Sequence, residues 1–304
     1  MILDLESDHE LRSSAFAFLR AAQLRTGGPV RLGDVSTFEF RGERISLLDP
    51  QRGIRSPRQL ETALSFRTRF ADRPEARPYD DSPGPDGYLR YKWRGTNPAQ
   101  AENRAMRRSL ELGLPMIWFQ GIASGLYLPI FPVWALEEEP SACQFVIALD
   151  ELQIERWKRA ESDVTPLDRT YADEIARRRL HQPVFRARVL DAYGSRCSIC
   201  RLRHNELLDA AHIRSDADGG QPVVPNGLAL CKIHHAAFDA ELLGISPDYE
   251  VVIRPDVLGE TDGPTLRHAL QGMHETLIAV PKKKAAQPDR ELLAERFDSF
   301  RKAG

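Results

Sequence analysis

Apolar residues recur three and four positions apart over 8–24 (DHELRSSAFAFLRAAQL), which predicts an opening helix. Short apolar or alternating runs follow: VSTFEF, ERISLL, GYLRYKW, PMIWFQGI, GLYLPIFPVWAL and CQFVIAL. Gly and Pro punctuate them, so they read as short strands of a small barrel or sandwich. One helix, Ala99–Leu112, interrupts the series. From Asp150 the texture changes, and ELQIERWKRA and DRTYADEIARRRL are charged and helical. A further helix is predicted over 183–193 (PVFRARVLDAY), with Pro183 suited to its first turn and Gly194 just past its end. The chain closes with a basic PKKK at 281–284 and an amphipathic helix over about 288–302. The pattern as a whole predicts an α+β protein: a strand-rich domain over 1–155, a helical linker over 156–180 and a second domain over 181–304.

Composition narrows the function classes. No run approaches the ~18 apolar residues of a membrane span. The N-terminus, MILDLESDHELRSS, is acidic before it is apolar, the wrong order for a secretory leader. These features predict a cytoplasmic protein with no membrane partner. A net charge of −2 argues against a general polyanion binder, so contact with nucleic acid must come from local patches.

Cys197, Cys200 and Cys231 lie within one short stretch. Cytosolic chains seldom keep disulfides, so the cluster points to metal or redox chemistry. Cys143 stands apart in SACQFVIAL and reads as a core thiol. Cys197-x2-Cys200 and Cys231-x2-His234 form two knuckles, each offering two ligands from one tight turn. Together they make a closed Cys3His set suited to structural Zn2+. A redox CxxC would need a thioredoxin-like βαβ context, which is absent. The 30 residues between the knuckles are long for a simple ribbon, so something is inserted there.

The insert carries a second constellation. His212 closes the strand-like run LLDAAHI, Asn226 follows fourteen residues later, and His235 nine residues after that, at a helix start. A strand, loop, strand and helix in this order make a ββα unit that can present two imidazoles to one cleft. Phosphodiester hydrolysis needs an activated water, a held phosphate and charge neutralisation at the leaving oxygen. A neutral imidazole suits the first task, a divalent ion the third, and a carboxamide can orient the base without adding charge.

AHI at 211–213, NGLALC at 226–231, HHxxFD at 234–239 and the interleaved knuckles resemble the HNH, or ββα-metal, nucleases in their McrA-like restriction branch. The resemblance covers about 181–304. It implies that His212 is the general base, Asn226 orients it, His235 binds the catalytic ion and His234 goes to zinc. The ion would be Mg2+ or Mn2+, with Co2+ and Ni2+ as further candidates. Asp239, one helical turn after His235, is a second ligand candidate, the competing reading being a surface Asp. Ala211 occupies a position where many relatives carry a ligand. Asp209 faces the same way along the strand and can substitute.

The stretch 79–95 (YDDSPGPDGYLRYKWRG) places Tyr79, Asp80, Asp81, Tyr88, Tyr91 and Trp93 around a Gly/Pro turn. Two aromatics flanking a carboxylate can sandwich a flipped base and accept from the exocyclic amine of cytosine. A β-hairpin with cross-strand aromatics is the competing reading. The stretch is similar to SRA domains, PUA-related barrels that flip 5-methylcytosine. The matches are Tyr79, Asp80–Asp81, Asp86–Gly87, Tyr88, Tyr91, Gly95 and Asn103, with Ser82 where an Asp would stand. The resemblance implies a pocket of Tyr79, Asp81 and Tyr91, with Asp80 and Trp93 as neighbours and Asp81 as base reader. Trp93-Arg94-Gly95 replaces the family's Thr-Gly, and the later Tyr-Asp-Gly is missing.

Together the two resemblances imply an SRA/PUA-like barrel with flanking helices joined to a zinc-stapled ββα-metal domain. The expected function is a bacterial restriction endonuclease that recognises double-stranded DNA carrying modified cytosine. A homodimer is expected where both strands are cut. A zinc-dependent reader that does not cut, and a mobile-element HNH nickase, are the alternatives.

Overall fold

The computed structural model describes residues 2–49, 51–70, 84, 86–159 and 181–303. Tyr79, Asp80, Asp81 and the linker residues 160–180 lie outside the described residues. The architecture is α+β. The chain divides into two compact units, Met1–Pro183 and Val184–Gly304. Each has its own apolar core.

In the first unit, helix α1 (Leu5–Thr26) begins where the Asp4 carboxylate accepts from the Ser7 amide, and stops at Gly27 in the left-handed region. Leu11, Ala15, Leu19 and Ala22 line its core face and are fully buried. Strands β1 (Val30–Arg31), β2 (Ile54–Arg55), β3 (Ser65–Thr68) and β4 (Leu89–Lys92) follow. Helix α2 (Ala101–Glu111), strands β5 (Met116–Ala123), β6 (Leu126–Glu139) and β7 (Gln144–Ala148), and helix α3 (Glu151–Arg159) complete the unit.

The strands form one seven-stranded sheet, β2-β3-β5-β6-β7-β4, with β1 attached to β6. β3 and β5 are parallel and the other pairs antiparallel. β6 pairs with β5 along its first half and with β7 along its second, and its register shifts between Ala135 and Glu137. Such a bulge bends a strand, and the sheet curls into a half-barrel. Among the described residues it stays open, with β2 and β4 as its edges.

Two expected strands are nearly absent. VSTFEF and ERISLL give only a two-residue pairing of Glu39–Phe40 with Glu43–Arg44. Their apolar residues Phe38, Ile45, Leu47 and Leu48 are buried from irregular backbone instead. Cys143 is not a core thiol. It is half-buried and closes a turn with a φ of 51°.

Arg12 ties this unit together. It is 1% exposed, and its Nε donates to Asp8 Oδ1 at 2.6 Å. Its other nitrogens donate to Thr62 Oγ1 and to the carbonyls of Ala63 and Pro115. Helix α1 is thereby joined to the segments entering β3 and β5.

The second unit opens within helix α4 (Gln182–Ala192) and continues through β8 (Leu208–His212), β9 (Gly227–Cys231) and α5 (Lys232–Asp239). A small hairpin, β10 (Leu243–Ile245) and β11 (Val251–Ile253), and a closing helix α6 (Arg290–Ala303) follow. The β8–β9–α5 order is the ββα unit expected from the sequence.

Asp8→Ala would leave the Arg12 guanidinium buried without its counter-charge, at a cost of about 3–5 kcal/mol. The expected result is a lower urea midpoint for the unfolding of this unit. The double variant Asp8→Leu/Arg12→Met, which removes both charges, recovers most of the loss.

Candidate metal centre and active site

The Cys197–Cys200 turn follows α4. It is closed by Arg201 N donating to Cys197 O and Cys197 N donating to Leu202 O. Ser198 N donates to Ala229 O at 2.7 Å, which fastens the turn to β9. Cys231 is the last residue of β9 and caps α5, so His234 lies in the first turn of that helix. The ligand atoms of Cys197, Cys200, Cys231 and His234 all fall within 4.8 Å of one another.

These four residues can hold a metal ion, and their geometry suits zinc. The Sγ atoms of Cys200 and Cys231 are 3.9 Å apart, and His234 Nδ1 is 3.4 Å from Cys197 Sγ and 3.2 Å from Cys231 Sγ. Tetrahedral zinc, with ligands at about 2.0–2.3 Å, needs ligand–ligand edges of roughly 3.3–3.8 Å. His234 Nε2 lies 2.6 Å from the Ala269 carbonyl. A hydrogen bond there puts the ring proton on Nε2 and frees Nδ1 for the ion. Hydrogen bonds from Cys200 and Cys231 hold the Cys197 thiol far below its usual range. Burial opposes charge on His234, but the bonds to Cys197 and Cys231 prevail and raise it to about 10. The cluster therefore draws positive charge to its centre.

The second site is built on the β8–β9 hairpin, where His212 lies directly opposite Gly227. Phe185 of α4 stacks on the His212 ring, with centroids 4.0 Å apart and planes at 13°. Gly227 makes this possible. A Cβ there would sit 2.5 Å from Val189 Cγ2 and 2.8 Å from Phe185 Cζ.

His212 Nε2 is shut off from solvent and lies 3.4 Å from Asp216 Oδ1 without forming a hydrogen bond. Burial lowers its pKa, Asp216 opposes that shift, and His235 adds to it. The neutral imidazole is therefore favoured near neutral pH.

Asn226 is 1% exposed, and its side-chain hydrogen bonds all go to backbone groups. Its Oδ1 accepts from Arg214 N, and its Nδ2 donates to the carbonyls of Arg214 and Gln221. It clamps the loop that leaves His212, so any orientation it gives the imidazole is transmitted through backbone.

His235 faces away from the Cys3His cluster, between two carboxylates. Its Nδ1 is 3.7 Å from Asp209 Oδ2, and its Nε2 is 3.3 Å from Asp239 Oδ2. The neighbouring Asp209 carboxylate raises its pKa, against burial. Asp209 is in turn held below the usual carboxylate range by His235, and its Oδ1 lies 3.4 Å from Arg186 Nε. The two carboxylates address opposite ring nitrogens, so this rotamer can share an ion with one of them, not both. Asp239 is among the charges acting on His212.

In the first unit, Tyr91 and Trp93 are 4% and 3% exposed. Tyr91 packs on Phe66 and donates to Arg67 O, and Trp93 packs on Phe145. Neither ring offers an open face for a stacked base. Asp86 pairs with Arg90, Tyr88 donates to Gln153 O, and buried Asn103 binds the Arg94 and Asn97 backbone.

Phe185 and Asp216 were not singled out in the sequence. Asp216 sits four residues after His212 in an acidic loop, a weak signal. Phe185 carries no chemical signal of its own, and only the glycine after Asn226 hints at the space it fills.

Residues 197–246 match a family model described as HNH endonuclease. The segment is an HNH endonuclease domain, and the enzyme class it carries is that of a metal-dependent DNA endonuclease. No curated protein matches the chain. One similar solved structure is a modification-dependent restriction endonuclease, TagI, with 18% identity and a TM-score of 0.30, covering 81% of this chain and 84% of that one. Another is the Type IV phosphorothioation-dependent restriction endonuclease ScoMcrA, with 16% identity and a TM-score of 0.25, covering 83% of this chain and 55% of that one. Both scores fall below those of a shared fold.

Gly227→Ala would drive Phe185 and Val189 from their positions, an overpacking cost of about 1–3 kcal/mol. Phe185→Leu keeps an apolar side chain but loses the ring face. Both variants are expected to lower the single-turnover cleavage rate. Phe185→Leu should keep the parent's zinc content, checked by metal analysis.

Proposed function

We propose that this chain is a modification-dependent restriction endonuclease, in which the first unit reads a modified cytosine and the second hydrolyses a phosphodiester. The observation that carries the nuclease part is the separation of the two imidazoles. His212 is desolvated and free of any metal cluster, and His235 lies between carboxylates.

His212 is the general base. Its Nε2 faces Asp216 and is closed to solvent, which leaves Nδ1 to take a proton from the attacking water. The water oxygen forms the new bond to phosphorus, and the bond to the leaving oxygen breaks on the opposite side. Phe185 fixes the ring plane, and Asn226 fixes the loop that leaves it. His235 Nε2 and Asp239 would hold a divalent cation, Mg2+ or Mn2+, which when bound neutralises charge at the leaving oxygen. Asp209, at the other ring nitrogen, orients His235 in the manner of a carboxylate–histidine–metal relay.

The reader half rests on the 79–95 stretch and its likeness to SRA domains, on a curled sheet. Tyr79 and Asp81, with Asp80 beside them, form the base site. Tyr91 and Trp93 are buried and are not counted among its stacking faces. A modified cytosine would donate its exocyclic amine to the Asp81 carboxylate. A second copy of the chain would supply the cut on the opposite strand.

The test is cleavage of methylated and unmethylated plasmid by the full chain with Mg2+ or Mn2+. The parent should prefer the methylated substrate, and equal cutting of both would sink the reader half. His212→Ala should lower the single-turnover rate by about 10²–10⁴-fold, with DNA binding and zinc content intact. Asp81→Ala should go on cutting but lose the preference. An unchanged preference would place the base site elsewhere.

A further inference from the structure

Only seven lysines occur beside 35 arginines, and three of them are consecutive, Lys282–Lys284. They stand in a unit, Val184–Gly304, that has 16 basic residues, these three included, against 17 acidic ones. All three are exposed. None of their ammonium groups makes an ion pair or hydrogen bond among the described residues.

The run sits on a fastened turn. Pro281 before it and Pro288 after it are buried. Gln287 Nε2 donates to Pro281 O at 3.1 Å, and the Ala286 and Gln287 amides donate to the carbonyls of Lys283 and Lys284. The Pro288 carbonyl accepts from Tyr249 Oη at 3.1 Å. One more bond sets its place: Asp289 N donates to Pro225 O at 2.9 Å. The turn at 284–286 packs on the turn at 224–226, which carries Asn226. The next residue, Gly227, is the strand partner of His212. The Asp289 carboxylate is occupied in capping α6, where it accepts from the Glu291 and Leu292 amides. The lysines are thus held against the element that frames the active site, with their charge uncompensated.

We propose that Lys282, Lys283 and Lys284 form a docking surface for the phosphate backbone of DNA at the edge of the HNH active site. The inference rests on the nuclease reading above. Point charges on flexible stems suit this task, because phosphates along a duplex can be met without a fixed bidentate geometry. Contacts of this kind carry no sequence information, so they serve DNA whether or not it is modified.

The test is the salt dependence of affinity of the full chain for a short unmodified duplex, without added divalent ion. Each lysine that neutralises a phosphate contributes about 0.9 to the slope of log affinity against log salt. The triple variant Lys282→Ala/Lys283→Ala/Lys284→Ala should lower the magnitude of that slope by about two to three. A triple Lys→Arg variant should restore it. Zinc content and thermal midpoint, equal to the parent's, certify the fold of both. If the parent cuts plasmid and the alanine variant keeps the parent's slope, the docking surface is overturned and the nuclease reading stands. If the parent neither binds nor cuts DNA, both are overturned.

Discussion

The second unit depends on the Cys3His cluster. Its four ligands come from a turn after α4, the end of β9 and the first turn of α5. A hydrogen bond from His234 extends its reach to the Ala269 carbonyl. One ion can therefore tie together segments that also share an apolar core running from Phe185 to Leu293. Its consequence for chemistry lies in a single peptide step. With His234 turned inward to the sulfurs, His235 must leave the helix in another direction, toward Asp209 and Asp239. The Cys3His cluster thus aims the proposed catalytic histidine.

Within the active site, two imidazoles are set to opposite protonation preferences by their surroundings. His212 is packed against Phe185 and loses solvation, which favours the neutral ring a base requires. His235 sits between two carboxylates, and the field that draws a proton to it equally draws a cation. Asp216 works against the first trend by supporting charge on His212 as a proton arrives. This resists complete suppression of the proposed base, a compromise that general-base chemistry near neutral pH calls for.

Much of this site was legible in the sequence because its signals are local. Cys and His spacings of two residues report tight turns, and His212, Asn226 and His235 sit on neighbouring elements of one hairpin and helix. What stayed hidden depends on contacts distant in sequence or on packing without polar chemistry. Phe185 reaches His212 from 27 residues away, through a gap that Gly227 leaves open. In the first unit, Ser65–Thr68 is buried at every position, so it lacks the alternation that marks a half-exposed strand. The runs VSTFEF and ERISLL show the reverse case, with strand-like composition but burial from loops. Tyr91 and Trp93 look like binding aromatics beside a polar turn, yet the curl of the sheet places them in its core.

The division of adjacent histidines between two metals is tested most directly by the zinc content and activity of single variants of the full chain. The purified parent should hold a single tightly bound zinc. His235→Ala should keep that zinc and the parent's thermal midpoint while losing Mg2+- or Mn2+-dependent cleavage. His234→Ala should lose the zinc, and the stability of the second unit with it. Loss of zinc from His235→Ala, or its full retention in His234→Ala, would contradict the assignment.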